Sequence, residues 1–151
     1  INTVRKRAVA HRVHAYEHYA GSVSYGLEAA DKLQVPAARV FKTLVVGLEG
    51  VELAVAVVPV NKQLSLKSLA RALGAKKAAM ADPQAVERST GYVLGGVSPL
   101  GQKKSLRTVI DQSAETFATI FVSAGRRGLE IELSPQDLCR LLDARFASIQ
   151  Q

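Results

Sequence analysis

Two neighbouring apolar runs, residues 40–48 and 51–58, constrain the fold of this chain more than any other feature. Both runs are rich in valine, whose branched Cβ favours extended backbone. Only Glu49 and Gly50 separate them, and a short break that contains glycine is typical of a tight turn between antiparallel strands. The pattern therefore predicts a β-hairpin against which the other elements must pack.

The remaining segments alternate between strand and helix patterns. Strands are predicted at residues 12–17, 106–110, 117–122 and 129–133, and helices at residues 24–33 and 64–73. Six or seven strands among four or five helices predict a mixed α/β domain with a curved mixed sheet or barrel-like core and surrounding helices. We expect all 151 residues to form one domain.

Two further helices carry clear start signals. Asp82-Pro83 and Ser134-Pro135 each place a capping side chain before a proline, which suits the first position of a helix. The first of these helices should end at Gly91. In the helix predicted at residues 24–33, the helical spacing of Leu27, Ala30 and Leu33 predicts one apolar, inward-facing stripe.

Positive charge is concentrated in short clusters. The chain has 20 lysine and arginine residues and 13 acidic residues, which gives a net charge of +7. Paired cations on separate loops suit a phosphate backbone, although a merely basic surface would look the same. The clusters can attract a polyanion but cannot by themselves specify one. They are Arg5-Lys6-Arg7, Lys76-Lys77, Lys103-Lys104 and Arg126-Arg127.

Composition also indicates where the protein works. No apolar run approaches the roughly 20 residues of a membrane-crossing helix, and no N-terminal segment has the features of a signal peptide. The single cysteine, Cys139, rules out an internal disulfide framework and fits a reducing compartment. We therefore expect a cytoplasmic protein that does not act at a membrane. Because the chain begins at Ile1, we also expect a few residues to precede it.

Lys42 is a charged residue in an otherwise apolar strand. Period-two alternation puts it on the same face as Val40 and Leu44, while Phe41 and Val45 lie on the opposite face. Neither face therefore looks solvent-exposed. Burial of an ammonium costs on the order of several kcal/mol, so a lysine is seldom buried without a partner or a function. We interpret Lys42 as a candidate functional cation; the alternative is an edge-strand lysine whose ammonium reaches water.

Residues 91–104 form a glycine-rich segment that includes Gly95-Gly96 and Ser98-Pro99. Adjacent glycines let the backbone approach a ligand, and Pro99 fixes its own φ and favours an extended Ser98. Such a loop can present N–H groups to an anion or to a developing oxyanion. The segment is equally typical of a plain strand-to-strand turn, and its residues alone do not decide between these interpretations.

Other reactive side chains give weaker signals. The spacing of His11, His14 and His18 places them on different faces of a strand, so we expect no zinc site. Cys139, beside Leu138 in the last helix, is predicted to be a core residue rather than a nucleophile. The chain has no Gly-x-Ser-x-Gly, Walker or dinucleotide motif. We therefore expect neither triad chemistry nor a metal or cofactor.

Three polar residues have ordinary interpretations when taken singly. Ser123 ends a predicted strand and is suited to begin the turn at residues 125–128. Glu130 alternates with Leu129 and Ile131, which favours a solvent-exposed face. Tyr16 stands alone near the first predicted strand.

Five segments, in a fixed order and spacing, carry a joint signal. They are Phe41-Lys42-Thr43-Leu44, Met80-Ala81-Asp82, Ser89-Thr90-Gly91-Tyr92, residues 95–104 and Arg127-Gly128-Leu129. Together they resemble the YbaK-like aminoacyl-tRNA editing domains, and most closely the freestanding branch that deacylates Cys-tRNA(Pro). The resemblance extends from about Tyr16 to the last helix.

The resemblance implies a mixed barrel-like domain that acts in trans on mischarged tRNA. The strand lysine of the family falls on Lys42, and its Gly-x-x-x-Pro loop falls on Gly95 and Pro99. It also implies three groups of site residues. They are a catalytic group of Lys42, Gly95, Gly96, Ser98 and Pro99; a substrate-binding group of Tyr16, Phe41, Ser123 and Glu130; and a tRNA-binding group of Lys76, Lys77, Lys103, Lys104, Arg126 and Arg127.

A mechanism and a partner also follow from the resemblance. An aminoacyl ester is already activated, so an editing enzyme needs placement and oxyanion stabilisation more than a strong nucleophile. In the cysteine-specific branch, the substrate thiol attacks its own ester, and prolyl-tRNA synthetase is the partner that the family suggests. Two alternatives stay open: an editing enzyme that removes alanine from tRNA(Pro), and a non-catalytic tRNA-binding module of the same fold.

Overall fold

The computed structural model of the chain describes residues 9–17, 25–49, 52–92 and 96–151. Eight strands lie within these ranges: β1 His11–Ala15, β2 Phe41–Leu48, β3 Leu53–Pro59, β4 Ala78–Met80, β5 Arg107–Asp111, β6 Ile120–Ser123, β7 Leu129–Leu133 and β8 Arg145–Ala147. The same ranges contain four α-helices, α1 Tyr25–Leu33, α2 Leu66–Ala72, α3 Pro83–Thr90 and α4 Pro135–Leu142, and 3-10 turns at Ala37–Arg39 and Gln112–Thr116.

The predicted hairpin is the centre of a five-stranded sheet with the order β4-β2-β3-β5-β8. β2 and β3 pair antiparallel from Phe41 opposite Pro59 to Gly47 opposite Leu53. β3 pairs in parallel with β5, and β5 with β8, so the sheet is mixed. The turn residue Gly50 lies outside the described residues.

A second sheet has three strands in the order β1-β7-β6, all antiparallel. One isolated parallel bridge, between Val40 and Phe121, joins it to the five-stranded sheet. We call this junction the seam. The mixed α/β prediction is confirmed, but across the described part of the chain the two sheets do not close into a barrel.

The strong helix signals are confirmed. The Asp82 carboxylate accepts a hydrogen bond from the Ala85 N–H at 3.3 Å, and α3 ends at Gly91, whose φ is +83°. The Ser134 hydroxyl accepts a hydrogen bond from the Asp137 N–H at 3.0 Å at the start of α4. Each cap satisfies an N–H that the first turn of a helix leaves unpaired.

Three sequence interpretations need correction. β4 and β8 were not predicted, because each has three residues and is too short to carry an alternating pattern. Among the described residues, the glycine-rich segment follows helix α3 and precedes strand β5, so it is not a turn between two of the described strands. In α1, Ala30 of the predicted apolar stripe is buried but Leu27 is 44% exposed, so only part of that stripe faces inward.

The apolar side chains form three clusters on the two faces of the sheets. The inner core lies between the sheets and beneath α3 and α4, with members such as Phe41, Val57, Ile110, Val122, Ile131 and Leu138. The outer core lies between α2 and the opposite face of the five-stranded sheet, with Val46, Ala56, Val58, Leu69 and Leu73. The seam cluster packs α1 against the junction through Ala29, Ala30, Val40, Val60 and Phe121. No helix of the described ranges is both long and apolar enough to cross a membrane.

Candidate functional site

The seam brings together three of the predicted site residues. The parallel bridge between Val40 and Phe121 sets the register of β2 against β6. Lys42 and Ser123 each follow a bridged residue by two positions, so they lie on the faces of β2 and β6 that carry Val40 and Phe121. Ser123 in turn lies directly opposite Glu130 in the β6–β7 pair.

Lys42 lies between two apolar clusters on the outer face of the five-stranded sheet. On β2, Val40 before it belongs to the seam cluster and Leu44 after it packs against the outer core. Burial lowers the pKa of the Lys42 ammonium. Within the described ranges, this ammonium makes no hydrogen bond and no ion pair, so its charge is available to a ligand.

Glu130 does not lie on a solvent-exposed face, contrary to its alternating pattern. Only 6% of the residue is exposed, because α1 and the seam cluster cover this side of the three-stranded sheet. Burial raises the pKa of the Glu130 carboxyl to about 8. Near neutral pH most of the free protein therefore holds this group as an uncharged acid.

Tyr16 is a fourth predicted site residue near the seam, on the side towards α1. Its backbone N–H donates a hydrogen bond to the Gly128 carbonyl at 2.9 Å, which fixes it at the open end of β1. Burial raises the pKa of the Tyr16 hydroxyl, and the charges of Glu130 and Glu28 add to the rise. Glu28, on α1, is 8% exposed and was not identified from the sequence, because the predicted apolar face of the helix did not include it.

Two other predicted site residues, Ser123 and Phe41, take part in the local structure of the protein. The Ser123 hydroxyl accepts a hydrogen bond from the Gly125 N–H at 3.1 Å, so it also begins the turn, as its position in the sequence indicates. Phe41 is 2% exposed and belongs to the inner core. Adjacent residues of a strand point to opposite faces, so the Phe41 ring does not share the space around Lys42.

A polar network braces the seam beside this group. Glu132 accepts hydrogen bonds from His14 Nε2 at 2.8 Å and from Thr119 Oγ1 at 2.5 Å. Arg39 donates to the Thr119 carbonyl and hydroxyl, and its guanidinium lies 5.1 Å from the centre of the Phe121 ring. Although burial alone would raise it, the pKa of Glu132 is lowered by the hydrogen bonds from Thr119 and His14.

The glycine-rich loop reaches the seam through one close approach. A Cβ built on Gly96 would lie 3.3 Å from the Cα of Arg126, so only glycine fits against this turn without displacement. Arg126 follows the end of β6 by three residues, so the loop meets the sheet near Ser123. The side chains of Val97 and Leu100 are buried in the inner core. Gly95 lies outside the described residues.

Ser98 and Pro99 are buried and shape the loop. The Ser98 hydroxyl accepts a hydrogen bond from the Leu100 N–H at 3.2 Å, and its carbonyl accepts one from the Gln102 side chain at 3.0 Å. The Tyr92 hydroxyl donates to the Leu100 carbonyl at 2.6 Å. Because Ser98 is 2% exposed and its hydroxyl is already bonded, its side chain supports the loop.

The basic pairs lie in separate places. Arg126 and Arg127 are exposed in the turn against Gly96. Lys103 and Lys104 donate their backbone N–H groups to the carbonyls of Thr90 and Ser89 at the end of α3. Lys76 and Lys77 precede β4, at the far end of β2 from Lys42. The cluster at residues 5–7 lies outside the described part of the chain.

Other reactive groups do not join the seam. Cys139 packs against the inner core and donates to the Ala144 carbonyl at 3.1 Å, and burial raises the pKa of its thiol. In the described ranges, no group of three or more histidine, cysteine or acidic side chains has the arrangement of a metal site; His18 is not among those residues. The seam group therefore offers a buried carboxyl and a cation that has no ion-pair partner among the described residues. These groups can bind and orient a polar substrate but are not strong nucleophiles.

Comparison with known proteins gives a consistent result. Residues 23–141 match the sequence profile of the aminoacyl-tRNA editing domain. The chain is 42% identical over 120 residues to EbsC of Enterococcus faecalis, which is provisionally named a Cys-tRNA(Pro)/Cys-tRNA(Cys) deacylase; the match covers 80% of this chain and 73% of EbsC. It is 32% identical over 111 residues to the uncharacterised YwhH of Bacillus subtilis, covering 74% of this chain and 70% of YwhH.

Solved structures show the same fold. One, described as a candidate trans-editing enzyme for prolyl-tRNA synthetase, aligns with a TM-score of 0.87 at 22% identity and covers 99% of this chain and 93% of its own. Another, the hypothetical protein APE2540, aligns with a TM-score of 0.88 at 24% identity and covers 99% of this chain and 97% of its own. From the profile match and the identity to EbsC, the chain belongs to the YbaK-like aminoacyl-tRNA editing domain family.

Proposed function

We propose that this protein is a trans-editing deacylase that removes cysteine from mischarged tRNA(Pro), by attack of the substrate's own thiol on the aminoacyl ester. The observation that carries the proposal is that Lys42, which is partly buried and has no ion-pair partner among the described residues, lies on the same side of the seam as the buried Glu130. Family membership and the name of EbsC support the deacylase activity. The choice of cysteine and of tRNA(Pro) is our inference.

The proposed reaction needs no nucleophile from the protein. The cysteinyl sulfur attacks the ester carbonyl carbon, a C–S bond forms, and the C–O bond to the terminal ribose breaks. The thiol proton ends on the ribose oxygen, so the products are tRNA with a free hydroxyl and cysteine thiolactone, which water then opens. The contribution of the protein is placement of the thiol and stabilisation of the oxyanion.

Lys42 and Glu130 would hold the two ends of the aminoacyl-adenosine unit. We assign the Lys42 ammonium to the terminal adenosine or its phosphate, because a phosphate can form a charge-assisted hydrogen bond with an ammonium that has no partner among the described residues. We assign Glu130 to the α-ammonium of the amino acid, with Tyr16 and Ser123 beside it. An ammonium next to Glu130 lowers the pKa of this carboxyl, so substrate binding itself would generate the carboxylate.

The loop would supply the oxyanion donors. We assign this role to the backbone amides from Gly95 to Ser98, since Gly96 brings the loop backbone against the turn that follows β6. In this arrangement Ser98 and Pro99 hold the loop in shape, as their burial indicates.

Discrimination against proline would be steric. A pocket sized for a cysteinyl side chain excludes the prolyl ring, whereas small differences in apolar bulk are otherwise worth only about 1–3 kcal/mol. Recognition of tRNA identity would then come from a partner. We propose prolyl-tRNA synthetase, because one structural neighbour is described as a candidate trans-editing enzyme for that synthetase.

Deacylation assays on Cys-, Ser- and Ala-tRNA(Pro) test the proposal. We expect rapid release from Cys-tRNA only, trapping of thiolactone as product, and a loss of about 100-fold with Lys42→Ala, a size typical of a lost electrostatic contact. Equal rates on the cysteinyl and seryl substrates would exclude the thiol mechanism. Release of alanine alone would identify an alanine-editing enzyme. Tight tRNA binding without turnover would identify a binding module.

A further inference from the structure

We propose that helix α2 and its flanking turns form a phosphate-binding ridge for the acceptor arm of tRNA. The proposal rests on the proposed function and identifies a surface for that substrate. The ridge consists of five cations that follow one another along the chain: Lys62, Lys67, Arg71, Lys76 and Lys77. We call this set the α2 ridge.

The helix lies on the same face of the five-stranded sheet as Lys42. Leu69 of α2 and Leu73, which directly follows the helix, pack in the outer core against Val46 and Val58. Val46 lies four residues after Lys42 on β2, and even-numbered residues of this strand share one face. A ligand held by Lys42 therefore emerges on the side of the sheet that α2 covers.

The ridge runs from the end of the sheet that carries Lys42 to the opposite end. Lys62 follows β3 and donates its N–H to the carbonyl of Pro59, and Pro59 lies opposite Phe41. At the other end, Lys77 precedes Ala78, which pairs with Leu48. The six residue steps from Lys42 to Leu48 on β2 span about 20 Å at the usual rise of a strand. The cations are thus spread along that length.

All five side chains are exposed and few acidic groups oppose them. Helix α2 contains no acidic residue. The Glu49 carboxylate accepts a hydrogen bond from the Lys76 N–H, and Glu52 pairs with Arg107. Within the described ranges, Lys67 and Arg71 form no ion pair. They are four residues apart, so they lie on one side of the helix.

A polyanion fits this arrangement better than a single small anion. Five cations spread over this length cannot converge on one phosphate, but they can each contact a different phosphate of a nucleic-acid backbone. The single-stranded end of tRNA would enter the seam at Lys42, and the acceptor stem beyond it would lie along α2. The geometry therefore adds Lys62, Lys67 and Arg71 to the residues that bind tRNA.

The double variant Lys67→Glu/Arg71→Glu tests the ridge. Both side chains are exposed, and the cap residue Ser65 stays in place, so the fold should persist. The matched control is Arg88→Glu/Arg140→Glu, which changes the net charge equally on α3 and α4, the helices that pack on the inner core. Binding of uncharged tRNA is measured over a series of salt concentrations. Thermal melting checks that both variants fold. If Lys67→Glu/Arg71→Glu does not fold, Lys67→Ala/Arg71→Ala is used in its place.

We expect the ridge variant to bind tRNA at least ten times more weakly at low salt. The slope of log K against log salt should fall by about 1.4–1.8 in magnitude, since each of the two lost phosphate contacts removes roughly 0.7–0.9. The control should change little. An equal loss in both variants would show that only net charge matters and would overturn the ridge. Unchanged tRNA binding in the ridge variant would also overturn it and would point to an acidic protein as the partner of this surface.

Cleavage assays on substrates of two lengths distinguish a failure of the ridge proposal from a failure of the deacylase proposal. A short cysteinyl oligonucleotide that ends within the seam should be cleaved equally by the wild type and the ridge variant, whereas KM for full-length Cys-tRNA should rise only in the variant. If the wild type binds tRNA through the ridge but cleaves neither substrate, the deacylase proposal fails and the ridge stands. If the wild type cleaves both substrates and the variant matches it on each, the ridge fails and the activity stands.

Discussion

The guanidinium of Arg39 lies 3.5 Å from Glu132 Oε2, and this contact joins the start of β2 to the three-stranded sheet. Arg39 ends the 3-10 turn before β2 and lies three residues from Lys42. Glu132 follows Glu130 by two residues, so it lies on the same face of β7. The contact therefore fixes the two strands that carry the proposed substrate-binding residues.

Arg39→Lys should loosen the seam without removing the positive charge. A lysine cannot reproduce the forked contact with Thr119 and Glu132, so we expect a loss of about 1 kcal/mol in the free energy of unfolding and a drop of roughly tenfold in kcat. Because burial lowers the pKa of Lys42, better solvation in the variant should move that pKa back towards its ordinary value. NMR titration of the labelled lysine measures this change.

Arg107→Lys is the matched control for this substitution. Arg107 also bonds a glutamate and a backbone carbonyl, those of Glu52 and Leu73, but it lies on β5 away from the seam. We expect it to leave kcat and the Lys42 titration unchanged. A similar change in both variants would mean that Arg39 acts only through overall stability.

Glu130 should make the protein less stable as the pH rises. Its pKa of about 8 lies above the ordinary value of 4.5, so the folded protein binds more protons than the unfolded chain between these values. The stability that this group contributes is present below pH 4.5 and is lost as the pH rises to about 8. Between pH 5.5 and 8 the loss should be about 3 kcal/mol, by the conversion of roughly 1.4 kcal/mol per pKa unit.

Glu130→Gln removes the titrating group and provides the comparison. Its free energy of unfolding, measured by urea denaturation across the same pH range, should be flatter than that of the wild type. The same variant should bind Cys-tRNA more weakly if Glu130 meets the α-ammonium. Parallel pH profiles for the two proteins would show that Glu130 titrates normally.

The parts of the fold with strong local signals were predictable from sequence. Helices α3 and α4 each begin with a capping side chain and proline, and both caps form as expected. Lys42 stood out because a charge interrupts an apolar strand. The seam network could not be found in this way, since Arg39 and Thr119 are separated by 80 residues and each looks like an ordinary surface residue.

A single sequence does not show contacts between distant segments, and this also explains why Glu130 was wrongly predicted to lie on a solvent-exposed face. Alternation along a strand shows which residues share a face but not whether another element covers that face. Here α1 covers it, and Ala29 reaches the seam cluster beside Ala30 although it lies outside the predicted apolar stripe. Placement across the seam depends on contacts between distant segments, which a single sequence does not reveal.

Thr43→Val should stabilise the protein without affecting activity. The Thr43 hydroxyl is buried and has no hydrogen-bond partner in the described part of the chain. Its strand face is that of Phe41 and Val45, opposite to Lys42. Valine has the same shape without the unpaired hydroxyl, so we expect the free energy of unfolding to rise by about 1 kcal/mol. Urea denaturation measures the change, and a fall in deacylation rate would instead give Thr43 a role in the site.

Gly125→Ala should disturb the turn that the glycine-rich loop packs against. Gly125 has a φ of +113°, and a Cβ there would lie 2.9 Å from the Tyr92 ring. The substitution therefore adds a clash to the strain of a left-handed backbone, and Tyr92 holds the loop through its bond to Leu100. Gly74→Ala is the control, because Gly74 has a φ of +70° but open space around it. We expect a stability loss of about 1 kcal/mol for the control and a larger one for Gly125→Ala. Deacylation should fall only in the latter; equal activity in the two variants would separate the loop from catalysis.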